Sequence, residues 1–332
     1  MQKVIIWGYP LHSHTHSYIH YGWHKAFKHL GYETYWFHDK DYPKDFDYTN
    51  CLFITEGYAD DQIPLHESNV YCVHIARYPL KYIGIGARLI DIRYNVLQIK
   101  DFNYIYSQSN KTLVSISDVT QYEPDSSDRD LHPKYQNTLP LIYEAVYMCW
   151  ATDLLPHEIN LEDRFKEPIQ PPVLHYLGTV GGGNQKEVQK LITGCERKGI
   201  KFLSNDPWKN PISFEDAKLL VQQSCIAPDV RGSGDPSKLN ETGTHHKQNG
   251  YIPCRLFKNI SYGKLGASNC KRLYDLFGDH IIFCENEEQL VNLCLEKEKD
   301  KDYIEKQMIW VRDNHTYVNR IQDLMKILDR TF

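Results

Sequence analysis

Residues 250–269 read GYIPCRLFKNISYGKLGASN, a run that predicts a helix, a glycine turn and a strand in immediate succession. The helix is predicted over Cys254–Tyr262, directly after a proline, and Gly263 is suited to end it. Leu265–Ser268 is short and largely apolar, as a buried strand is. Arg255 falls in the first turn of the helix, where unpaired backbone N–H groups and the helix dipole attract anions. The run therefore predicts an anion-binding site at the start of a helix.

Strands and helices alternate on both sides of this run. The predicted strands are Val173–Leu177, Lys201–Ser204, Cys225–Ala227 and His280–Cys284. The predicted helices are Gln185–Lys198, Phe214–Gln222, Lys271–Phe277, Glu287–Glu298 and a last long helix from about Asp302. Alternation of this kind is typical of a parallel sheet covered by helices on both faces.

The first half shows the same alternation in a less regular form. Val4–Trp7, a helix over Tyr18–Leu30 and a strand over Glu33–Phe37 form one βαβ unit. The further strands predicted are Cys51–Thr55, Val70–Ile75, Tyr104–Ser107, Leu113–Ile116 and Ile142–Cys149. A helix is predicted over Ile83–Lys100. This half is therefore also expected to contain a parallel sheet.

The length of the chain favours two domains, because 332 residues are more than one hydrophobic core usually organises. Residues 153–172 are charged and contain four prolines, a density that few helices or central strands tolerate. They are predicted to be a linker. The expected fold class is α/β, with two Rossmann-like, doubly wound parallel-sheet domains over residues 1–152 and 173–332.

The composition is that of an ordinary soluble globular protein, with 41% hydrophobic and 24% charged residues and a net charge of −5. No basic tail stands out, which disfavours a nucleic-acid partner because phosphate backbones require clustered Lys and Arg. No apolar run approaches the length of a membrane span. The nine cysteines are scattered without a CxxC pair, as buried thiols in a reducing compartment are. A cytoplasmic protein is therefore expected.

Several polar residues are predicted to lie beyond the carboxyl ends of strands, where open parallel sheets bind ligands. Gly178-Thr179 follows one predicted strand, and Asp229 and Arg231 follow another. Together with Arg255 and Lys258, this arginine can neutralise a diphosphate and the charge that it gains on leaving. Surface salt bridges are the alternative interpretation of these cations. The glycines after the first strand would let a phosphate approach the backbone, although a flexible turn explains them equally well.

Histidines crowd the first loop and helix, at positions 12, 14, 16, 20 and 24. Three interpretations stay open. His14 or His16 can act as a general base on an acceptor hydroxyl, because imidazole titrates near neutral pH. His12, His14 and His16 can instead bind a metal, although later ligand motifs are missing from the sequence. The histidines can also simply line a solvated helix face.

The second half resembles a known family. The run PCRLFKNISYGKLGASN looks like the C-terminal motif of GT-B glycosyltransferases, in which an Arg-x-Phe-Glu helix precedes a glycine turn and a strand. Arg255, Phe257, Lys258 and Gly263 occupy those positions. The later runs LFGDHIIFCENEEQL and NHTYVNR are similar to the end of the family, including its "HTY…R" helix. The opening strand, loop and helix before the sequence GYE resemble the family's "strand, loop, helix, GHEV".

The resemblance implies two Rossmann-like domains facing across a cleft, with the final helix packing back toward the N-terminal domain. The donor would be a nucleotide-diphosphate sugar on the C-terminal domain, and the acceptor would be a glycan or another hydroxyl-bearing molecule. No metal or other cofactor is expected. The resemblance and the predicted loops together give the donor-side candidates, which are Gly178, Thr179, Asp229, Arg231, Arg255, Lys258, Asn259 and Tyr262. Tyr58, His74 and Arg77 follow predicted strands of the first half and are the acceptor-side candidates, with ordinary loop residues as the alternative interpretation. The catalytic candidates are His14, His16 and Arg255.

One departure from the family concerns the donor. Many relatives carry a glutamate where this chain has Lys258-Asn259, which implies a different sugar or base, with Asn259 taking over part of the hydroxyl recognition. A base such as His14 or His16 is required by an inverting enzyme, whereas a retaining one needs none. Two other function classes stay open: a metal-dependent hydrolase using His12, His14 and His16, and a non-catalytic nucleotide-sugar-binding protein.

Overall fold

The computed structural model describes residues 3–93, 113–116, 144–181, 183–207, 209–233, 246–249 and 251–329. Contacts among the residues divide the chain into two compact units. The first unit holds the described residues up to Cys149 and those from Tyr317 onward, and the second holds the described part of Trp150–Thr316. Residues 153–172, expected to be a linker, therefore lie within the second unit. The arrangement in which two domains face each other across a cleft remains a prediction.

The first unit is built on one largely parallel sheet. Its strands are β1 (Lys3–Trp7), β2 (Thr34–Phe37), β3 (Cys51–Glu56), β4 (Val70–His74), β5 (Arg88–Arg93), β6 (Leu113–Ile116) and β7 (Glu144–Met148). They lie in the order β2-β1-β3-β4-β5-β7-β6, and all neighbours are parallel except β6 and β7. The apolar runs of β1, β3 and β4 are almost continuously buried, as strands in the middle of a parallel sheet are. The predicted α/β class with a parallel sheet is confirmed.

Strand β5 corrects the helix predicted over Ile83–Lys100. The chain forms a short helix α2 over Leu80–Ile83 and then enters the sheet between β4 and β7. Asp91 is fully buried, and its carboxylate accepts a hydrogen bond from the Ala76 N–H at 3.0 Å. This charged residue interrupts the apolar run, so the sequence pattern does not predict the strand, although β5 is buried on both faces.

Two longer helices complete the described part of the first unit, α1 (Ser17–His29) and, at the end of the chain, α10 (Tyr317–Leu328). The face of α1 that carries Trp23 and Phe27 is buried, and the Trp23 ring lies 5.4 Å from the Tyr317 ring. A β-carbon on Gly22 would collide with the same tyrosine, so this glycine allows close packing of the two helices. The C-terminal helix therefore belongs to the core of the first unit.

The second unit contains two short pairs of parallel strands. They are β8 (Val173–Leu177) with β9 (Lys201–Asn205), and β10 (Ala267–Ser268) with β11 (Ile282–Phe283). The segment Cys225–Asp229 lies between β8 and β10: its first N–H donates to the Val173 carbonyl and its last to the Ala267 carbonyl, each at 2.8 Å. The predicted strand at 225–227 is thus hydrogen-bonded on both sides but forms a bridge only at Asp229.

Helices surround these strands in the second unit. They are α3 (Gln185–Arg197), α4 (Phe214–Gln223), α5 (His246–Asn249), α6 (Cys254–Ser261), α7 (Lys271–Phe277), α8 (Glu287–Lys297) and α9 (Lys301–Asn314). Helix α6 confirms the predicted helix, with Tyr262 as its C-cap and Gly263 at a φ of 92°. The long helix predicted from Asp302 is two helices, because the backbone leaves helical geometry at His315. No helix in the described ranges combines the length and apolarity needed to cross a membrane.

Candidate functional site

Two arginines and one aspartate meet at the start of helix α6 in the second unit. Asp229 ends the segment beside β10, Arg231 follows it, and Arg255 is the second residue of α6. Arg255 donates from Nε to Asp229 Oδ1 at 3.0 Å, and Arg231 donates from Nη2 to the same oxygen at 2.5 Å. Asp229, Arg231 and Arg255 are called the arginine cluster below. The structure thus joins Arg255, predicted at the start of a helix, to two residues predicted on one loop after a strand.

The arginine cluster is buried and carries more positive than negative charge. Asp229 is 1% exposed, and the side chains of Arg231 and Arg255 are 8% and 16% exposed. Burial lowers the pKa of Arg255, but Tyr176 and Asp229 outweigh it and hold that pKa above its usual value. Two guanidinium groups share one carboxylate, so one positive charge of the cluster is not neutralised within it. An anionic ligand would meet this charge favourably.

Several contacts fix the orientation of Arg255. Its Nη1 donates to the Leu177 carbonyl at 3.3 Å and its Nη2 to the Val230 carbonyl at 3.4 Å. Its guanidinium carbon lies 4.4 Å from the centre of the Tyr176 ring. Tyr176 and Leu177 end strand β8, so the carboxyl end of a strand positions this arginine. A cation held in place in advance needs no reorganisation when negative charge develops beside it.

Gly178 allows this arginine to lie against the backbone. The residue directly follows β8 and has a φ of 151°, a conformation that favours glycine. A β-carbon at this position would lie 2.6 Å from Nη1 of Arg255. Any other residue would therefore push the guanidinium group out of its present position.

The variant Gly178→Ala is expected to displace the Arg255 guanidinium without removing it. If the arginine cluster binds phosphate groups, the affinity of this variant for inorganic pyrophosphate, measured by calorimetry, should fall about 10-fold or more, because small displacements of a binding group have large effects. The matched control is Gly199→Ala, since Gly199 has a φ of 69° and no atom within 4 Å of its β-carbon position. Both variants should unfold at lower temperature. Equal pyrophosphate affinity of Gly178→Ala and the wild type would contradict the prediction.

The loops beside the arginine cluster approach each other closely. The Asn184 side chain spans the turn after β8, accepting from the Gly181 N–H at 2.8 Å and donating to the Thr179 carbonyl at 3.0 Å. A β-carbon on Gly232 would collide with the carbonyl of Gly183. The missing side chain of Gly232 thus allows the loop after Asp229 to approach the glycine turn after β8.

Three other donor candidates, Lys258, Asn259 and Tyr262, contact residues outside the arginine cluster. Lys258 Nζ lies 3.5 Å from Asp153 Oδ1, and the Tyr262 hydroxyl donates to the same oxygen at 2.7 Å. The Asn259 side chain is 7% exposed and donates to the Ala227 carbonyl at 2.8 Å. These contacts tie α6 to neighbouring segments of the second unit.

A second group of candidate residues lies in the first unit, where β1 and β3 end side by side. Glu56 is the last residue of β3, and His14 and His16 lie between β1 and α1. His16 Nδ1 contacts Glu56 Oε2, and one ligand atom from each of the three residues lies within 4.8 Å of the others. His14, His16 and Glu56 are called the histidine cluster below. The strand order reverses between β1 and β3, which is where open α/β sheets bind ligands.

Glu56 is buried, and its neighbours keep it ionised. Burial raises the pKa of Glu56, but the hydrogen bond from His16 and the charge of His16 contribute most to lowering that pKa overall. His20 Nε2 lies 3.9 Å from Glu56 Oε2, and His20 Nδ1 accepts from the Tyr9 N–H at 3.1 Å. Because Nδ1 accepts, the neutral ring carries its proton on the nitrogen that faces Glu56. Burial lowers the pKa of His20 to about 4, so this neutral form is present at neutral pH.

The histidine cluster differs from the metal set expected at His12, His14 and His16. His12 Nδ1 lies 3.2 Å from the Tyr18 hydroxyl. Among the described residues, the group with metal-binding geometry contains Glu56 in place of His12. The predicted pair of His14 and His16 is therefore brought together, but with a partner from another strand.

The acceptor-side candidates lie at the ends of β3 and β4 and differ in exposure. Tyr58 is 52% exposed, and the Arg77 guanidinium carbon lies 4.3 Å from the centre of its ring. His74 is 3% exposed, and its Nδ1 lies 3.1 Å from the Thr55 carbonyl oxygen. Burial lowers the pKa of His74 to about 3. Tyr58 and Arg77 thus form a surface stack, whereas His74 lies in the interior.

The sequence patterns did not select two residues of these sites, Glu56 and Tyr176. Both lie at or near the carboxyl end of a buried strand. The rule that ligands bind at this edge of a parallel sheet was therefore the signal that would have selected them.

Comparisons with known proteins give structural neighbours. No protein-family model matches the sequence, and no curated protein matches it. The chain is similar to a DNA-modifying β-glucosyltransferase solved with and without uridine diphosphoglucose, with a TM-score of 0.45 and 12% identity, covering 98% of this chain and 99% of that chain. It is also similar to the spinosyn forosaminyltransferase SpnP, with a TM-score of 0.41 and 11% identity, covering 99% of this chain and 100% of that chain.

Proposed function

We propose that this protein transfers a sugar from a nucleotide-diphosphate sugar to an acceptor hydroxyl. The arginine cluster carries the proposal, because two guanidinium groups share one buried carboxylate at the end of β8 and the start of α6. Guanidinium groups recognise phosphate oxygens through paired N–H donors. The edge of the sheet is also where α/β folds hold such ligands. A phosphate-bearing donor fits this site better than a neutral sugar.

In the proposed reaction, the acceptor oxygen bonds to the anomeric carbon while the bond from that carbon to the diphosphate oxygen breaks. The electron pair leaves with the nucleoside diphosphate, and the acceptor hydroxyl loses its proton. Arg231 and Arg255 stabilise the leaving group, whose charge grows in the transition state. Gly178 and Thr179 would line the phosphate or the sugar. No metal is assigned to this step, because the guanidinium groups supply the positive charge.

Asp229, Lys258, Asn259 and Tyr262 have less direct roles in this proposal. Asp229 orients the two arginines as their shared hydrogen-bond acceptor. A donor contact by Lys258, Asn259 or Tyr262 would require each to exchange its present partner for the ligand. The diphosphate role therefore rests on the arginines.

The proposed base is His16, with His14 beside it. Glu56 contacts Nδ1 of His16, which orients the ring and would stabilise the imidazolium formed when the other nitrogen takes the acceptor's proton. This role applies to an inverting reaction, whereas a retaining one needs no such base.

Tyr58 and Arg77 are proposed to contact the acceptor. The exposed ring of Tyr58 offers an apolar face to a sugar, and Arg77 is stacked on that ring. His74 is buried, so it would influence an acceptor only through neighbouring side chains.

The proposed function is tested by screening UDP, GDP, ADP, CDP and TDP sugars for a rise in unfolding temperature, followed by product analysis. A ligand that binds only the folded state stabilises it by about 2.7 kcal/mol at 100 times its Kd. We expect one nucleotide base to stand out, and the sugar to appear on a hydroxyl acceptor. Binding without turnover would identify a nucleotide-sugar-binding protein, and hydrolysis abolished by a chelator would favour a metal-dependent hydrolase. Stabilisation by none of these donors would contradict the proposal.

A further inference from the structure

The side chains of the histidine cluster are ligands that Zn²⁺ and similar metals prefer. Imidazole nitrogens and carboxylate oxygens bind these ions, and two histidines with one glutamate form a three-residue zinc site that leaves a position open. His14, His16 and Glu56 each contribute one ligand atom, within 4.8 Å of the other two. An ion bonded to three ligands at about 2.0–2.2 Å requires ligand atoms about 3–4 Å apart. Small side-chain rotations would therefore convert the present spacing into a binding geometry.

The surroundings of the histidine cluster also suit a cation. Glu56 is 3% exposed, so a carboxylate at this position acts on a cation with little screening by water. His14 and His16 are half-buried, which leaves one side of the cluster open to a water molecule as a further ligand. The cluster thus combines a buried anionic ligand with access from solvent.

We propose that His14, His16 and Glu56 bind one divalent transition-metal ion of the Zn²⁺ class, with water completing its coordination. The ion would replace the direct contact between His16 and Glu56 with two metal bonds. His14 Nδ1 accepts from the His16 N–H at 3.1 Å, and ligation by His14 gives up this hydrogen bond. The site goes beyond the proposed function, which assigns no metal to sugar transfer.

The metal site has a consequence that rests on the proposed function. A His16 ring that holds a metal ion cannot accept the proton of an acceptor hydroxyl. The ion would therefore inhibit transfer, and it would do so in competition with the acceptor and not with the donor. Metal binding itself does not depend on this consequence.

The test measures Zn²⁺ binding to the full chain without donor or acceptor, by competition with a chromophoric chelator. A parallel titration with Co²⁺ reports the ligand set through visible absorption bands. We expect one ion per chain, and about 100-fold or greater loss of affinity in His14→Ala, His16→Ala and Glu56→Gln. The matched control His12→Ala, in the same loop, should bind as the wild type does. Glu56→Gln keeps the shape of the buried side chain, and unfolding midpoints establish that each variant folds.

Stoichiometric binding that is lost in the three variants and kept in His12→Ala supports the site. Absence of stoichiometric binding by the wild type, or unchanged binding by Glu56→Gln, overturns it, as does an equal loss in His12→Ala. A separate assay adds Zn²⁺ to the transfer reaction, where inhibition relieved by acceptor supports the consequence and stimulation overturns it. A protein that transfers no sugar at all would refute the proposed function while the binding result still decides the metal site.

Discussion

Replacing Arg255 with alanine is expected to lower kcat/KM for sugar transfer by about 10²–10³-fold, as loss of one preorganised donor to a developing charge does. Asp229 and the Leu177 and Val230 carbonyls already hold the guanidinium in place. Without it, the charges of Asp229 and Arg231 cancel, and the cluster loses its excess positive charge. We expect kcat to fall along with donor affinity, because the leaving group gains its charge in the transition state.

Two further variants separate this role from a general effect on the fold. Arg255→Lys keeps the charge but loses the planar fork of donors, so we expect an intermediate rate. Arg197→Ala removes an arginine on α3 whose side chain is 68% exposed and pairs with Glu288, and it should transfer at the wild-type rate. Initial rates at varied donor concentration, with unfolding midpoints, make the comparison. Full rate and full donor affinity in Arg255→Ala would show that the diphosphate role is wrong.

The alternation of strands and helices could be predicted from the sequence because parallel strands are continuous apolar runs. The helix predicted over Cys254–Tyr262 is α6, which ends at Ser261 and has Tyr262 as its C-cap. Strand β5 could not be predicted, since its buried Asp91 is satisfied by the Ala76 N–H, 15 residues away. A charge in an apolar run is read as solvent-exposed unless its partner is known, and tertiary structure supplies that partner.

The candidate sites could be predicted in part, for a related reason. Arg231 and Arg255 lie at the ends of predicted elements, and the edge rule for parallel sheets selected them. The sequence did not reveal that Asp229 accepts from both, because a carboxylate on such a loop can equally face a ligand. Glu56 lies 40 residues from His16, and their contact depends on β1 and β3 being neighbours. Strand order is set by the packing of the whole unit, so it is not visible in either segment.

The variant Asp229→Asn is expected to lower the free energy of unfolding by about 3–5 kcal/mol, as removal of one partner from a buried ion pair does. Asp229 is 1% exposed and is the shared acceptor of Arg231 and Arg255. Asparagine keeps the shape of the side chain, so the loss would come from charge and not from a cavity. Urea unfolding followed by tryptophan fluorescence measures the change.

The matched control is Asp275→Asn, because Asp275 forms an exposed pair with Lys271 on α7. We expect a change within about 0.5 kcal/mol there, since exposed pairs contribute little.

In Asp229→Asn, two buried guanidinium groups lack a counter-charge, and a bound anion can supply one. Inorganic pyrophosphate should therefore raise the unfolding midpoint of Asp229→Asn more than that of the wild type. A purely structural salt-bridge network would lose the same stability but would not recover it with an anion, so this comparison separates a ligand site from a fold-stabilising cluster. Both the ligand-site and the salt-bridge interpretation assume that the buried charge of Asp229 stabilises the fold. An Asp229→Asn protein as stable as the wild type would contradict that assumption.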